Sequence, residues 1–165
     1  MHILVAEDNR VNQMVIGKFL GGLGCTITFV WNGQEALDYL LSSNPRPDII
    51  FMDDSMPVMS GYEATSIIRT QPPFATDPGI STTPIIAMAA SLYNLQPRTP
   101  GRYAGWRFDD AIKKPLRWAS LQKIVSYWAR RRVQPVHGVL PAPMNGNADI
   151  IPGRVQWPKG PRSLL

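Results

Sequence analysis

Three short, unbroken apolar runs constrain this chain more than any other feature. They are ILVA at 3–6, DIIFM at 48–52 and PIIAMAA at 84–90. Each has the length of a strand and none alternates with polar residues, so both faces must be covered. Strands of that kind belong in a parallel sheet with helices on both sides. The intervening sequence supplies the helices. Val11, Val15, Ile16, Phe19, Leu20 and Leu23 recur at helical spacing before a run of glycines. Residues 26–30 are rich in β-branched residues and read as a second strand. Residues 33–43 place Ala36, Leu37, Leu40 and Leu41 on one face and Gln34, Glu35 and Asp38 on the other. A short helix is expected over 62–69 and a loop over 71–83. Ala111-Ile112 reads as a fifth strand. A last helix capped by Ser120 follows, with Leu121, Ile124, Val125 and Trp128 at i, i+3, i+4, i+7. Between 91 and 105, Pro97, Pro100 and Gly101 interrupt the expected helix. The pattern predicts a doubly wound, five-stranded parallel sheet, flavodoxin-like, with its fourth helix region degraded.

Charge divides the chain. Residues 1–129 hold eleven Lys+Arg and eleven Asp+Glu, whereas 130–165 hold six and one. The basic excess therefore lies in a Pro- and Gly-rich segment with few apolar clusters, read as a disordered tail over 133–165 behind a domain of 1–132. Arg130-Arg131-Arg132 is too sparse a cluster to predict nucleic-acid or membrane binding. No apolar stretch is long enough to span a bilayer. The single cysteine, Cys25, allows no internal disulfide. With no secretion leader at the N-terminus, a cytoplasmic or nuclear setting is expected.

The chemistry-bearing residues fall at strand ends. Glu7 and Asp8 follow the first strand, Asp53 follows the third and Lys114 follows the fifth. In a doubly wound sheet these positions converge beyond the carboxyl ends of the strands. Three carboxylates in one pocket repel each other, and a hard divalent cation relieves that repulsion through oxygen ligands. A lysine opposite the metal leaves room for an anion such as phosphate.

Five segments carry a resemblance: ILVAEDNRVNQ at 3–13, NGQEAL at 32–37, DIIFMDDSMPVMSGYEAT at 48–65, PIIAMAA at 84–90 and FDDAIKKP at 108–115. The sequence resembles the receiver domains of two-component response regulators, especially those of fungal phosphorelays, over residues 1–132. The resemblance implies that Asp53 is the phosphoacceptor and that Lys114 contacts the phosphoryl group. It implies a Mg²⁺ site formed by Asp8 directly, Glu7 through water, Asp53, and the backbone carbonyl of Ser55. It also implies that the Lys114–Pro115 bond is often cis. The expected partner is a histidine phosphotransfer protein or a histidine kinase. No nucleic acid, membrane or small-molecule ligand is expected beyond the metal and the phosphoryl group. Such a domain is not an enzyme with a released substrate; it catalyses only its own phosphoryl transfer and the hydrolysis of its aspartyl phosphate. Asp54 is read as a solvent-facing neighbour and Lys113 as a surface charge.

Two positions depart from the family pattern. The hydroxyl residue expected at the end of the fourth strand is Ala89, and the aromatic switch residue expected in the fifth is Ala111. The acceptor chemistry looks intact while the switch does not. Two readings therefore stand: a phosphorelay receiver, and a pseudo-receiver that binds partners without phosphorylation. An Asp-nucleophile hydrolase is a distant third, because it wants an Asp where Ser55 stands. The chain is expected to be a stand-alone receiver or a fragment of a hybrid kinase.

Overall fold

Successive residues of the apolar runs point to opposite sides of one sheet, as the two-residue period of a strand requires. A computed structural model describes residues 1–92, 107–133 and 150–151. In chain order its elements are β1 (His2–Ala6), α1 (Arg10–Gly22), β2 (Thr26–Val30), α2 (Gly33–Leu41), β3 (Ile49–Asp53), α3 (Gly61–Thr70), α4 (Pro78–Ser81), β4 (Ile85–Ala89), β5 (Asp110–Lys113), α5 (Trp118–Val133) and β6 (Ile150–Ile151). Leu4, Ala6, Ile50, Met52 and Ile85 enter one core with residues of α2 and α3. Ile3, Val5, Ile49, Phe51, Ile86, Met88 and Ile112 enter the other with residues of α1 and α5. This double burial explains the unbroken apolar runs. Truncating one such side chain, Ile50→Ala for example, would cost about 2–5 kcal/mol.

The strands lie in the order β2-β1-β3-β4-β5-β6, and β1 to β5 are mutually parallel. The order reverses between β1 and β3, so the crevice beyond their carboxyl ends is the switch point where ligands bind in such sheets. The five-stranded parallel sheet matches the sequence expectation. Inside the segment expected to be a disordered tail, β6 pairs antiparallel with β5, matching Ala111 with Ile151 and Ile112 with Ile150. The rest of that tail after α5, and residues 93–106 of the interrupted fourth helix region, lie outside the described residues.

Three details differ from the sequence pattern. The stretch 71–83 holds a one-turn helix, α4, whose Asp77 side chain accepts from the Gly79 amide at 2.8 Å. Ser120 lies inside α5 and not at its cap: the Leu121 amide already donates to the Arg117 carbonyl at 3.0 Å. In α1 the core slots go to Gln13, Ile16 and Leu20, leaving Val11 and Val15 exposed beside Met14. Gln13 is drawn inward because its amide donates to the Glu7 carbonyl at 2.7 Å.

Candidate functional site

Local chemistry fixes each loop around the crevice. Asn9 caps α1, its Oδ1 accepting from the amides of Val11 (2.9 Å) and Asn12 (3.2 Å), so the chain turns immediately after Glu7-Asp8. Asn32 caps α2, accepting from the Glu35 amide at 2.9 Å, and the Gly33 amide donates to the Met59 carbonyl at 3.0 Å. That bond ties the loop after β2 to the loop after β3. Ser60 and Glu63 form a reciprocal capping box at the start of α3. Gly61 then lies so close to β3 that a Cβ there would sit 2.0 Å from the Asp53 carbonyl oxygen. The glycine eight residues after Asp53 is therefore a steric requirement. Between them Val58 is held at φ 71°, a left-handed conformation that a β-branched residue adopts only under constraint.

These loops bring the predicted residues together. Glu7 is fully buried and Asp53 nearly so, while Asp8 is exposed. Carboxylate oxygens of Glu7, Asp8 and Asp53 lie within 4.8 Å of one another. Lys114 Nζ bridges two of them, at 2.7 Å from Glu7 Oε2 and 2.6 Å from Asp53 Oδ2. Glu7 Oε1 accepts from Asn12 Nδ2 at 2.8 Å and from the Asn9 amide at 3.3 Å. The Ser55 amide approaches Asp53 Oδ1 at 3.4 Å, a long contact. Ser55 itself is exposed in the loop directly beyond Asp53. The Lys114–Pro115 bond is cis, and Lys113 is exposed.

Electrostatics follow from this packing. Burial lifts the Asp53 carboxyl above its usual range, against the hydrogen bond and charge of Lys114, and the adjacent Asp54 carboxyl adds to the rise. Burial also works against the Lys114 charge, but hydrogen bonds to Asp53 and Glu7 outweigh it and raise the amine. One lysine thus partly neutralises a pocket with three acids. The donor set is all oxygen, with one acid open to solvent, which fits a hard cation that keeps several waters.

Asp54 is a residue that sequence reasoning undervalued. It is half-buried and not simply solvent-facing, and its Oδ2 accepts from the Tyr62 hydroxyl at 3.1 Å. Ala89 and Ala111 are buried together with Ala87 and Leu92, and the half-buried Phe108 packs on them. His2 lies at the opposite end of β1, 3.2 Å from both Thr28 Oγ1 and Tyr39 Oη.

The acidic crevice lies at the switch point of a doubly wound sheet, bridged by a lysine that precedes a cis proline, where such folds bind ligands. The sequence model of the response regulator receiver domain matches residues 3–126, and the chain belongs to that family. Two-component system protein A of Emericella nidulans is 37% identical over 128 residues, 77% of this chain. The chain spans only 17% of that relative's length. The receiver domain of sensor histidine kinase PA1611 from Pseudomonas aeruginosa PAO1, with magnesium coordinated in its active site cleft, is 36% identical with a TM-score of 0.62. It covers 77% of this chain and 95% of its own. The co-crystal structure of the Saccharomyces cerevisiae histidine phosphotransfer protein Ypd1 and the receiver domain of its downstream response regulator Ssk1 matches at TM-score 0.67 and 27% identity, covering 81% of this chain and 92% of its own.

Proposed function

We propose that this chain is a phosphorelay receiver that takes a phosphoryl group onto Asp53 from a phosphohistidine. The observation that carries the reading is the Lys114 bridge between Glu7 and Asp53 beside the open Asp8. In the resting arrangement Lys114 occupies one carboxylate oxygen of Asp53, Oδ2. As a phosphoryl group approaches, Lys114 exchanges the carboxylate for a phosphoryl oxygen while keeping its bond to Glu7. The Asp53 carboxylate attacks phosphorus in line; a P–O bond forms, the donor's P–N bond breaks, and the imidazole leaves with the electron pair. Glu7, Asp8, Asp53 and the Ser55 carbonyl would hold Mg²⁺, which supplies charge neutralisation at the phosphoryl oxygens. Water later hydrolyses the acyl phosphate. The chain acts only on itself: it frees the donor on transfer and phosphate on hydrolysis.

The partner class follows from the same surface. The solvent side of α1 carries Val11, Met14 and Val15, 60, 61 and 40% exposed, directly after the acidic pair. Val58, 87% exposed, projects from the loop after Asp53. Isolated exposed apolar residues are ordinary, but a stripe beside the acceptor suits an apolar protein surface. A histidine phosphotransfer protein or a histidine kinase is the reading it supports, as in the complex of Ypd1 with Ssk1. No described helix is long and apolar enough to cross a membrane, and we place the domain in the cytoplasm or nucleus.

Acetyl phosphate with Mg²⁺, followed by intact mass measurement, tests the acceptor. The wild type should gain one phosphate and Asp53→Asn none. A gain that persists in the variant and maps to Asp54 refutes the assignment. A wild type that gains nothing leaves the domain as an interaction module alone.

A further inference from the structure

The β4–β5 edge lacks the hydroxyl and the ring expected at 89 and 111, yet a different aromatic pair reaches it. Phe108 packs against Ala87, Ala89, Leu92 and Ala111. It also touches the core that contains Met52, Met56 and Ala64, beneath the acceptor loop. Its ring meets that of Tyr62 edge-on, with centroids 5.6 Å apart and planes at 71°. The Tyr62 hydroxyl donates to Asp54 Oδ2 at 3.1 Å. Asp54 directly follows Asp53 in the chain, at the end of β3. A continuous line of contacts therefore runs from the acceptor's neighbour to the edge where the usual switch is missing.

The far end of α3 is pinned. Seven residues after Tyr62, on the same helix face, Arg69 donates to the carbonyls of Arg107 (3.4 Å), Ser81 (2.7 Å) and Thr83 (2.8 Å) and pairs with Asp109. The residues on both sides of Phe108 are held to α3 by this one side chain, through the Arg107 carbonyl and the Asp109 carboxylate. The Tyr62 end faces the acceptor loop and is the end that a change at Asp53 reaches first.

We propose that Asp54, Tyr62 and Phe108 couple phosphorylation of Asp53 to the β4–β5 edge, by charge repulsion on Asp54 instead of attraction of a hydroxyl to the phosphoryl group. This rests on the reading of Asp53 as the acceptor. Phosphorylation replaces one negative charge at Asp53 with about two. A like charge adjacent to it is displaced, and the hydroxyl that holds that carboxylate follows or loses its bond. Tyr62 carries Phe108 with it, and Phe108 repacks against Ala89 and Ala111, whose small side chains leave the ring room to move. A group shifts a conformational equilibrium only through its differential interaction with the two states; the differing interaction here is the repulsion between Asp54 and the phosphoryl group.

The test uses the full chain with Mg²⁺ and beryllofluoride as the phosphoryl mimic, with amide chemical shifts as the readout. In the wild type, residues 108–111 should shift together with 54–58, and more than residues 121–128 of α5. Tyr62→Phe keeps the ring and removes the hydroxyl; it should lose at least half of the 108–111 response while 54–58 still respond. Phe108→Leu keeps the apolar volume and should lose the response of residues 87–92. An unchanged 108–111 response in Tyr62→Phe overturns the coupling while leaving the acceptor reading intact. Absence of any shift in wild-type 54–58, together with no mass gain from acetyl phosphate, overturns the acceptor reading and the coupling with it.

Discussion

The crevice beyond β1 and β3 and the edge formed by β4 and β5 belong to one sheet but are built on different principles. In the crevice, Glu7, Asp53 and Lys114 are tied to one another by bonds of 2.6 to 2.7 Å, and the loops around them are capped and cross-linked. At the edge, Ala87, Ala89, Leu92 and Ala111 form a small apolar cluster in which alanines fill positions where larger groups would interlock. A polar network in a low-dielectric site is costly to leave half-made, so the crevice is specified residue by residue. A patch of alanines packed against one ring makes no such polar demand. On the proposed reading, reaction chemistry and signal transmission are separable within one fold, the first resting on the crevice and the second on the edge.

The sharpest way to break this contrast is to remove the exposed acid. Asp8→Ala takes away the one carboxylate of the pocket that faces solvent. It should abolish both Mg²⁺ binding, followed by amide shifts of 7–9 and 53–55, and the mass gain from acetyl phosphate. Titration indistinguishable from wild type would remove Asp8 from the metal site. Gly61→Ala attacks the same region through its backbone. The new Cβ would collide with the Asp53 carbonyl at 2.0 Å, so α3 must move away from the acceptor strand. Overpacking of this kind costs on the order of 3 kcal/mol, which should lower the Tm by about 10 °C and slow phosphorylation as well. A variant of wild-type stability would show that the loop is less tightly fitted than the geometry indicates.

The convergence of Glu7, Asp8, Asp53 and Lys114 was legible in the sequence because its determinants are local. A carboxylate directly after an apolar run, a glycine eight residues later, and Asn-Gly or Ser-Gly before a helix each announce a strand end, a close approach or a cap. The edge was not legible for the opposite reason. Tyr62 and Phe108 meet across 46 positions, and nothing in either neighbourhood encodes the other. Asp54 read as solvent-facing because its partner comes from the next helix. Val11 and Val15 matched the core period of α1, but Gln13 took the buried slot by bonding to the Glu7 carbonyl, a contact that periodicity cannot register. The two-residue strand β6 is too short to carry a pattern.

A third prediction turns to the other side of β5. Asp110 is buried at the sheet edge and accepts from the Ala111 amide at 2.8 Å and from Trp128 Nε1 of α5 at 3.1 Å. Burial pushes its carboxyl up to about 7, against those two hydrogen bonds, and the neighbouring Asp109 charge adds to the rise. Asp109 is itself paired with Arg69. Because the folded state holds this proton more tightly than the unfolded chain, the contribution to stability is complete below the unfolded carboxyl pKa near 3.8. It is lost as the pH rises toward 7. Between pH 5.5 and 7 the loss should be on the order of 1–2 kcal/mol. Thermal melts across that range should slope downward in the wild type and less steeply in Asp110→Asn. Equal slopes would mean that Asp110 is ionised in the fold throughout.

The smallest expected effect concerns β6. Removing everything after Arg132 deletes the strand that pairs with Ala111 and Ile112. β5 already has β4 on its other side, with Ala87 opposite Ala111 and Met88 opposite Ile112, so the sheet loses only an outer two-residue pairing. Each backbone hydrogen bond contributes a net 0.5–1.5 kcal/mol or so, and the release of an ordered segment returns about 1–2 kcal/mol of conformational entropy per residue. The two nearly cancel, and the Tm should fall by no more than about 3 °C. Hydrogen exchange is the more sensitive probe, because the amides of β5 that face β6 lose their acceptors and should exchange faster, while those bonded to β4 keep their protection. A large fall in Tm would show that the segment closes the alanine-rich edge as well as pairing with it. The freedom of Phe108 to repack there would then depend on that cover. In that case truncation should also enlarge the beryllofluoride response at 108–111, which ties the last measurement back to the contrast between the polar crevice and the alanine-lined edge.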